Sequence, residues 1–242
     1  MRSAAVCASW SAAVRELRSH RLHFRHLSPW LMFSGSGDEN SSVASVISLS
    51  DQGVFTIPIP DPPMRDRFCI GSSHGWLIAA NQQSDLQMLN PITGVQIDLP
   101  PVATIDHIEP IGDQQGCISG YLVHGVHGNP PLDFGLEDLR FYLYWKAILS
   151  SDPSQGDYTV VLIQDLHRRL SFARAGDNKW TTLSTSPLYF DAIFYKSKLY
   201  TVTEQTQRRF DFTYLVRSPS DELLQVARLK DDVDTDGDDY NK

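Results

Sequence analysis

Short strand patterns recur along this chain at a spacing of about 41 residues, and this recurrence limits the possible folds more than any other feature. The segment that begins at Trp76 aligns with the segment that begins at Tyr158, an offset of 82 residues, or twice 41. In this alignment the turn PITG falls opposite the turn AGDN. Further strand patterns begin one period later, at Cys117 and at Leu199.

The strand patterns predict an all-β body. They are rich in β-branched and aromatic residues, most alternate in polarity, and each is bounded by Gly, Pro, Asn, Asp or Ser. The clearest of them cover 42–49, 75–80, 86–90, 95–99, 158–164, 169–174 and 198–203. No convincing amphipathic helix of about ten residues lies between them.

Two all-β architectures fit these patterns. A repeat of about 40–45 residues with three or four strands is typical of a β-propeller blade. Blades packed face to face around an axis bury one another's apolar faces and leave only short outer strands open. A β-sandwich is the alternative, because it shows turns about every 8–12 residues without a fixed period. We predict a partial β-propeller of about four to five antiparallel blades.

The chain divides into four predicted segments. Residues 1–27 carry an apolar stripe at helical spacing and predict a short helix, although their arginine-rich, acid-poor composition also fits an organelle transit peptide. Residues 28–42 include a Gly/Ser-rich run and predict a linker. Residues 43–230 contain the propeller, and residues 231–242 predict an acidic, disordered tail.

Charge, apolar runs and cysteine content limit the partners and the cellular location that we expect for this chain. The chain has 21 basic and 29 acidic residues, a net charge of −8, so we expect no non-specific binding of nucleic acid. No apolar run approaches the about 18 residues that cross a bilayer, so we expect no membrane partner. The sequence has no Cys-x-x-Cys pair among Cys7, Cys69 and Cys117, and we expect these thiols to be reduced and buried. Reduced thiols favour a cytoplasmic or nuclear location. An organelle is the alternative if residues 1–27 are a transit peptide.

Several strings follow one another in a characteristic order: FCIGSSHGWLI (68–78), LNPITG (89–94), YTVVLI (158–163), LSFARAGDNKWTTL (170–183) and FDAIFYKSKLYTVT (190–203). In this order they resemble the blades of the plant KIB-type β-propeller, a domain long described as one of unknown function, which usually follows an F-box. The resemblance covers roughly residues 5–230.

The N-terminal string VCASWSAAV (6–14) is similar to the last helix of an F-box, in which the family has Val-Cys-x-x-Trp, here Val6, Cys7 and Trp10. An F-box docks on the Skp-type adaptor of a cullin–RING ubiquitin ligase, and the propeller captures a target. The resemblance implies a non-enzymatic protein-interaction module with Val6, Cys7 and Trp10 as partner-binding residues and an unidentified protein on a propeller face. Because the sequence lacks the leading F-box helices and the closing propeller strands, we expect truncation at both ends and a weakened adaptor contact.

Candidate chemistry is sparse, and we predict no cofactor and no metal. Ser73 lies in GSSHG (71–75), which fits the Gly-x-Ser-x-Gly pattern of a hydrolase, but a nucleophile elbow needs a helix after the serine and the sequence predicts another strand. DVDTDGDD (232–239) matches the start of a calcium loop without its closing acid, and a solvated tail is favoured. The alternatives to an interaction module are a propeller hydrolase that uses Ser73 and a degenerate gene product without function.

The run FYLYW (141–145) is the densest aromatic cluster. We expect it to lie on a strand, where alternate side chains face opposite sides of the sheet. Packing in the core is the favoured interpretation, and an exposed recognition surface is the alternative, because exposed Tyr and Trp anchor protein interfaces.

Overall fold

A computed structural model describes residues 30–34, 42–48, 53–125, 130–166, 168–183, 188–204, 210–218 and 220–229. The all-β prediction is confirmed in these ranges, where strands dominate and the α-helix α1 (Leu139–Leu143) has only five residues. The predicted N-terminal helix (1–27) and acidic tail (231–242) lie outside the described residues and stay predictions.

The chain forms two compact units, of which the first comprises residues 1–36 and 44–57. An antiparallel sheet runs through it in the order β1 (Trp30–Ser34), β2 (Val43–Ser48) and β3 (Val54–Pro58). Every second residue of β2 is buried, as expected for a strand with one face on a core. β1 falls within the segment that the sequence assigns to a linker.

The second unit comprises residues 37–43 and 58–242. Its first sheet has four strands, β4 (Phe68–Ser73), β5 (Trp76–Ala80), β6 (Leu86–Leu89) and β7 (Gln96–Asp98). The next has three, β8 (Ile108–Gly112), β9 (Ile118–Val123) and β10 (Leu132–Gly135). After α1 comes a second four-stranded sheet, β11 (Tyr144–Leu149), β12 (Thr159–Gln164), β13 (Leu170–Arg174) and β14 (Thr181–Thr182). Two strand pairs follow, β15 (Tyr189–Tyr195) with β16 (Lys198–Thr203), and β17 (Phe210–Arg217) with β18 (Leu223–Leu229).

The predicted repeat is present in these sheets. Their second strands β5, β9, β12 and β16 begin at residues 76, 118, 159 and 198, close to the expected spacing. The turns PITG and AGDN, which the alignment placed opposite each other, both join the third strand of a four-stranded sheet to the fourth. The alignment therefore paired equivalent strands of two equivalent sheets.

The packing of the two four-stranded sheets differs from a simple succession of repeats. Their first strands, β4 and β11, lie side by side: a Cβ placed on Gly71 would come within 2.0 Å of the carbonyl oxygen of Ala147. Near one end of this contact Arg140 Nη1 donates to the carbonyl oxygen of Asp66 at 2.9 Å. The sheet β8–β10 therefore does not separate these two sheets, although the repeat predicts a blade at its position in the sequence.

One hydrophobic core joins the sheets β4–β7, β8–β10 and β11–β14. Its fully buried side chains include Ile78, Met88, Leu139, Leu162 and Trp180. Each such side chain stabilises the fold by about 1.5–3 kcal/mol relative to the exposed state. A smaller cluster, with Val161, Ile163, Leu170, Tyr189 and Ala192, packs β15 against β12 and β13.

Candidate interaction surface

The aromatic run FYLYW (141–145) covers the end of α1 and the start of β11. The expectation of a strand is therefore wrong for its first three residues, which are helical. Asp138 precedes the helix, and the chain becomes extended again at Tyr144. Leu139, Arg140 and Leu143 are buried, a spacing that defines one face of a helical turn. Helical periodicity therefore decides which aromatic side chains face the core.

Three aromatic side chains of this run are left at the surface, and Phe141, Tyr142 and Trp145 are here called the aromatic surface. They are 51%, 54% and 42% exposed, whereas Tyr144 is 4% exposed. The core interpretation thus holds for Leu143 and Tyr144, and the alternative of an exposed surface holds for the other three.

The rings of Phe141 and Tyr142 are held by neighbouring aromatic residues. Phe68, at the start of β4, packs edge-on against Phe141 with ring centroids 5.0 Å apart. Phe134, on β10, lies beside Tyr142 with centroids 5.2 Å apart. Arg140 stacks over the Phe141 ring at 4.9 Å. These contacts restrict the rings before any partner binds.

Trp145 is fixed by groups from two other elements. The guanidinium of Arg168, in the turn between β12 and β13, lies 3.8 Å from the centre of its ring. Trp145 Nε1 donates to the carbonyl oxygen of Phe190 on β15 at 3.1 Å. Arg168 in turn pairs with Asp165 at 2.9 Å. Neither Arg168 nor Phe190 was found from the sequence, because only tertiary packing brings them to Trp145.

Ser73 does not form a nucleophile elbow, so that hypothesis is wrong for this segment. It ends β4 and pairs directly with Trp76, the first residue of β5. The two residues between them, His74 and Gly75, both have positive φ angles (53° and 79°), as a two-residue hairpin turn requires. Turn geometry therefore explains the second glycine of the Gly-x-Ser-x-Gly pattern, whereas the first, Gly71, lies within β4.

A buried polar network lies beneath the loop between β5 and β6. Tyr121 and Tyr144 donate their hydroxyl protons to the carbonyl oxygens of Gln83 and Ser84, at 2.9 and 2.6 Å. Burial raises the pKa of Tyr121 to about 12 and that of Tyr144 well above its ordinary value. Both hydroxyls stay protonated at neutral pH and act as fixed donors that hold the loop.

A shallow depression of about 420 Å³ borders the same loop. It is lined by Asp61, Pro62, Asn81, Gln82, Gln83 and Gln87. Two of its amides are already engaged: Asn81 Oδ1 accepts from the amides of Gln83 and Asp85, and Gln87 bonds Arg67 and Asp98. The depression therefore offers polar contacts but no nucleophile paired with a base.

The other residues singled out from the sequence are dispersed. Cys69 and Cys117 are free thiols but exposed, so the expectation of burial is wrong for both. Val6, Cys7, Trp10 and the acidic run 232–239 lie outside the described residues. Within the described ranges, no three His, Cys, Asp or Glu side chains form a metal-binding group, and no helix has the length and apolarity needed to cross a membrane.

Comparison with known proteins shows that most of the chain matches one protein family. Residues 46–240 match the family model of the KIB1-4 beta-propeller. The chain is 25% identical to F-box only protein 7 of Arabidopsis thaliana over 229 residues, which cover 88% of this chain and 52% of that protein. It is 24% identical over 217 residues to another Arabidopsis protein named as an F-box protein, At4g17565, covering 88% and 49%. The chain thus spans about half the length of these relatives.

The family match and the observed sheets agree. The matched residues include every strand from β3 to β18, and the sheets β4–β7 and β11–β14 have the four-stranded antiparallel order of propeller blades. The predicted resemblance and the predicted propeller fold are both confirmed. The chain belongs to the KIB1-4 β-propeller family.

Proposed function

We propose that this chain is a non-enzymatic protein-interaction module that captures a partner protein on its aromatic surface. The observation that carries the proposal is the exposure of Phe141, Tyr142 and Trp145 on a framework that holds each ring. Large aromatic side chains anchor protein interfaces, and rings already restricted in the free protein lose little conformational entropy on binding.

The relatives support a role of the F-box type, since both are named as F-box proteins. We propose that the captured protein is a substrate of a cullin–RING ubiquitin ligase and that Val6, Cys7 and Trp10 contact a Skp-type adaptor. Free Cys69 and Cys117 support a reducing environment, so the proposed location is the cytoplasm or nucleus.

Partner capture is tested with the full chain as bait in a plant extract, followed by quantitative mass spectrometry. We compare the wild type with Phe141→Ala, Tyr142→Ala and Trp145→Ala. Tyr200→Ala is the matched control, because Tyr200 is also an exposed ring beside another ring (Tyr195) but lies on β16. Loss of the same proteins in the three variants, with retention in the control, is expected. Equal capture by all four variants would contradict the proposal that the aromatic surface binds the partner protein.

The adaptor contact is tested separately by titrating a purified Skp-type adaptor onto the immobilised chain. We expect binding that is lost when Val6, Cys7 and Trp10 are all replaced by Ala and kept when Ser9 and Ser11 are replaced instead. No binding by the wild type would contradict the adaptor role of this chain and leave partner capture standing.

A further inference from the structure

The aromatic surface is bordered by two carboxylates, one of which has no charged partner in the described part of the chain. Glu137 and Asp138, which lie between β10 and α1, are both exposed. Asp138 makes no side-chain hydrogen bond or ion pair with any described residue, whereas Glu137 forms a long ion pair with Arg140, at 4.0 Å. This side of the surface therefore presents negative charge beside apolar rings.

The nearby cations are directed elsewhere. The side chain of Arg140 is 9% exposed, and its Nη1 donates to the carbonyl oxygen of Asp66. Arg65 is paired with the carboxylate of Asp66 at 3.8 Å. Neither side chain pairs with Asp138, so the charge near Tyr142 stays negative.

Tyr142 and Asp138 are placed to share one ligand. Asp138 immediately precedes α1 with helical backbone angles (φ −71°, ψ −36°), and Tyr142 follows four residues later, a spacing that brings two side chains to one side of a helix. Tyr142 is half-exposed, and its ring adjoins that of Phe134. A group bound on the Tyr142 ring would therefore be within reach of a carboxylate.

The neighbouring rings of this surface already hold cations. Arg140 lies over Phe141, and Arg168 lies over Trp145. The negative face of an aromatic ring attracts a guanidinium or ammonium group. No described cation lies over Tyr142, the most exposed ring of the three.

We propose that Tyr142, Phe134 and Asp138 bind a lysine or arginine side chain in a basic segment of the partner protein. This inference rests on the proposed function, because it assigns the chemistry of the protein that the aromatic surface captures. A guanidinium on the Tyr142 ring can donate to the Asp138 carboxylate, so one side chain uses both groups. An acidic or phosphorylated segment would be repelled by the same carboxylates, and charge complementarity therefore selects a basic one.

The probe is a fluorescein-labelled nine-residue peptide with arginine at alternate positions between Gly and Ser. A second peptide carries citrulline in place of each arginine, which keeps the shape and removes the charge. Anisotropy titrations use the full chain at low and moderate salt. We expect binding of the arginine peptide that weakens with added salt, and little binding of the citrulline peptide.

Two variants and two matched controls locate the site. Tyr142→Leu keeps an apolar side chain without the ring, and Asp138→Asn removes only the charge. Each variant should lower the affinity for the arginine peptide by about two- to fivefold. Tyr200→Leu and Asp157→Asn make the same changes at an exposed ring and an exposed carboxylate elsewhere, and should leave binding unchanged. Equal weakening by the controls would mean diffuse attraction to an acidic protein and would overturn the site.

Failure of this inference is distinguishable from failure of the proposed function. If the peptides with and without charge bind alike, or neither binds, while protein capture still depends on Phe141 and Trp145, the surface recognises proteins but not a basic segment. If protein capture is indifferent to all three aromatic variants, the proposed function itself fails.

Discussion

Gly71 lies where β4 approaches β11 most closely, and the contact leaves no room for a side chain. A Cβ at this position would lie 2.0 Å from the carbonyl oxygen of Ala147, which belongs to the backbone and cannot turn away. Gly71→Ala must therefore push the two strands apart. We expect it to lower the free energy of unfolding by about 2–3 kcal/mol, measured by urea denaturation.

Gly112 provides the control for this substitution. It also lies in a strand, β8, but a Cβ there would meet nothing within 4 Å. Gly112→Ala should leave stability unchanged or raise it slightly, since alanine restricts the unfolded chain. If the two variants were equally stable, the close approach of β4 and β11 would be contradicted.

Asp85 is a second residue whose surroundings should affect stability, in this case its dependence on pH. Burial raises the pKa of its carboxyl above the ordinary 3.8, Asp98 adds to the rise, and the hydrogen bond from the Val102 amide opposes it. The folded state therefore keeps a proton that the unfolded state has lost, and stability falls as pH rises from 3.8 through the raised value. Asp85→Asn keeps the acceptor and cannot ionise, so the variant should gain stability relative to the wild type as pH rises.

Asp152 should change the pH dependence of stability in the opposite direction, because its pKa is lowered rather than raised. The Ser154 amide lowers the pKa of its carboxyl below 3.8, and the indole N–H of Trp76 acts in the same direction. Its contribution is present above 3.8 and is lost as pH falls through the lowered value. Unfolding measured between about pH 3 and pH 7 should show opposite trends for Asp85→Asn and Asp152→Asn, each relative to the wild type. Parallel trends would contradict the assigned environments.

At the scale of elements, the carboxylate of Asp191 connects three strands. It is 2% exposed on β15, pairs with Lys146 of β11 and accepts from the Leu215 amide of β17 at 2.6 Å. Asp191→Ala would leave the Leu215 amide without this acceptor and Lys146 without its counter-charge. We expect a loss of about 2–4 kcal/mol in the free energy of unfolding, measured by urea denaturation.

An exposed ion pair is the control for Asp191. Glu109 lies 2.8 Å from His124, with both side chains largely in solvent. Glu109→Ala should change stability by less than about 1 kcal/mol, because water screens such pairs. A similarly small effect of Asp191→Ala would mean that the carboxylate does not hold the three strands together.

The elements that the sequence predicted best are the second and third strands of the four-stranded sheets. Strands such as β5 and β12 combine apolar β-branched and aromatic runs with clear turn residues at their ends. The approach of β4 to β11 was not predicted, because a period along the chain does not specify which sheets become neighbours. Gly71, which permits that approach, looks in the sequence like an ordinary turn residue.

The aromatic surface was only half predictable. Its residues were recognised as a cluster, but a run of five aromatic and apolar residues fits a strand and a helical turn equally well. The two alternatives expose different side chains, and only the structure shows that Phe141, Tyr142 and Trp145 are outside. The Arg168 and Phe190 contacts join residues distant in sequence and left no local signal.

At the scale of the second unit, one core extends through three sheets. Trp180, beside β14, donates its indole N–H to the carbonyl oxygen of Pro100 at 2.8 Å, and Trp76, at the start of β5, donates to Asp152 at 3.0 Å. Each bond crosses from one four-stranded sheet to the other or to the segment that follows it. With the contact between β4 and β11, these links leave neither sheet a core of its own.

Such shared packing predicts that the two four-stranded sheets unfold together. The slowest-exchanging amides of β5 and β12 should report the same opening free energy in hydrogen–deuterium exchange, because neither sheet keeps its core when the other opens. Gly71→Ala, on β4, should lower protection in β12 as much as in β5, whereas Gly112→Ala should lower neither. If Gly71→Ala reduced protection in β5 and left β12 unchanged, the sheets would be independent folding units.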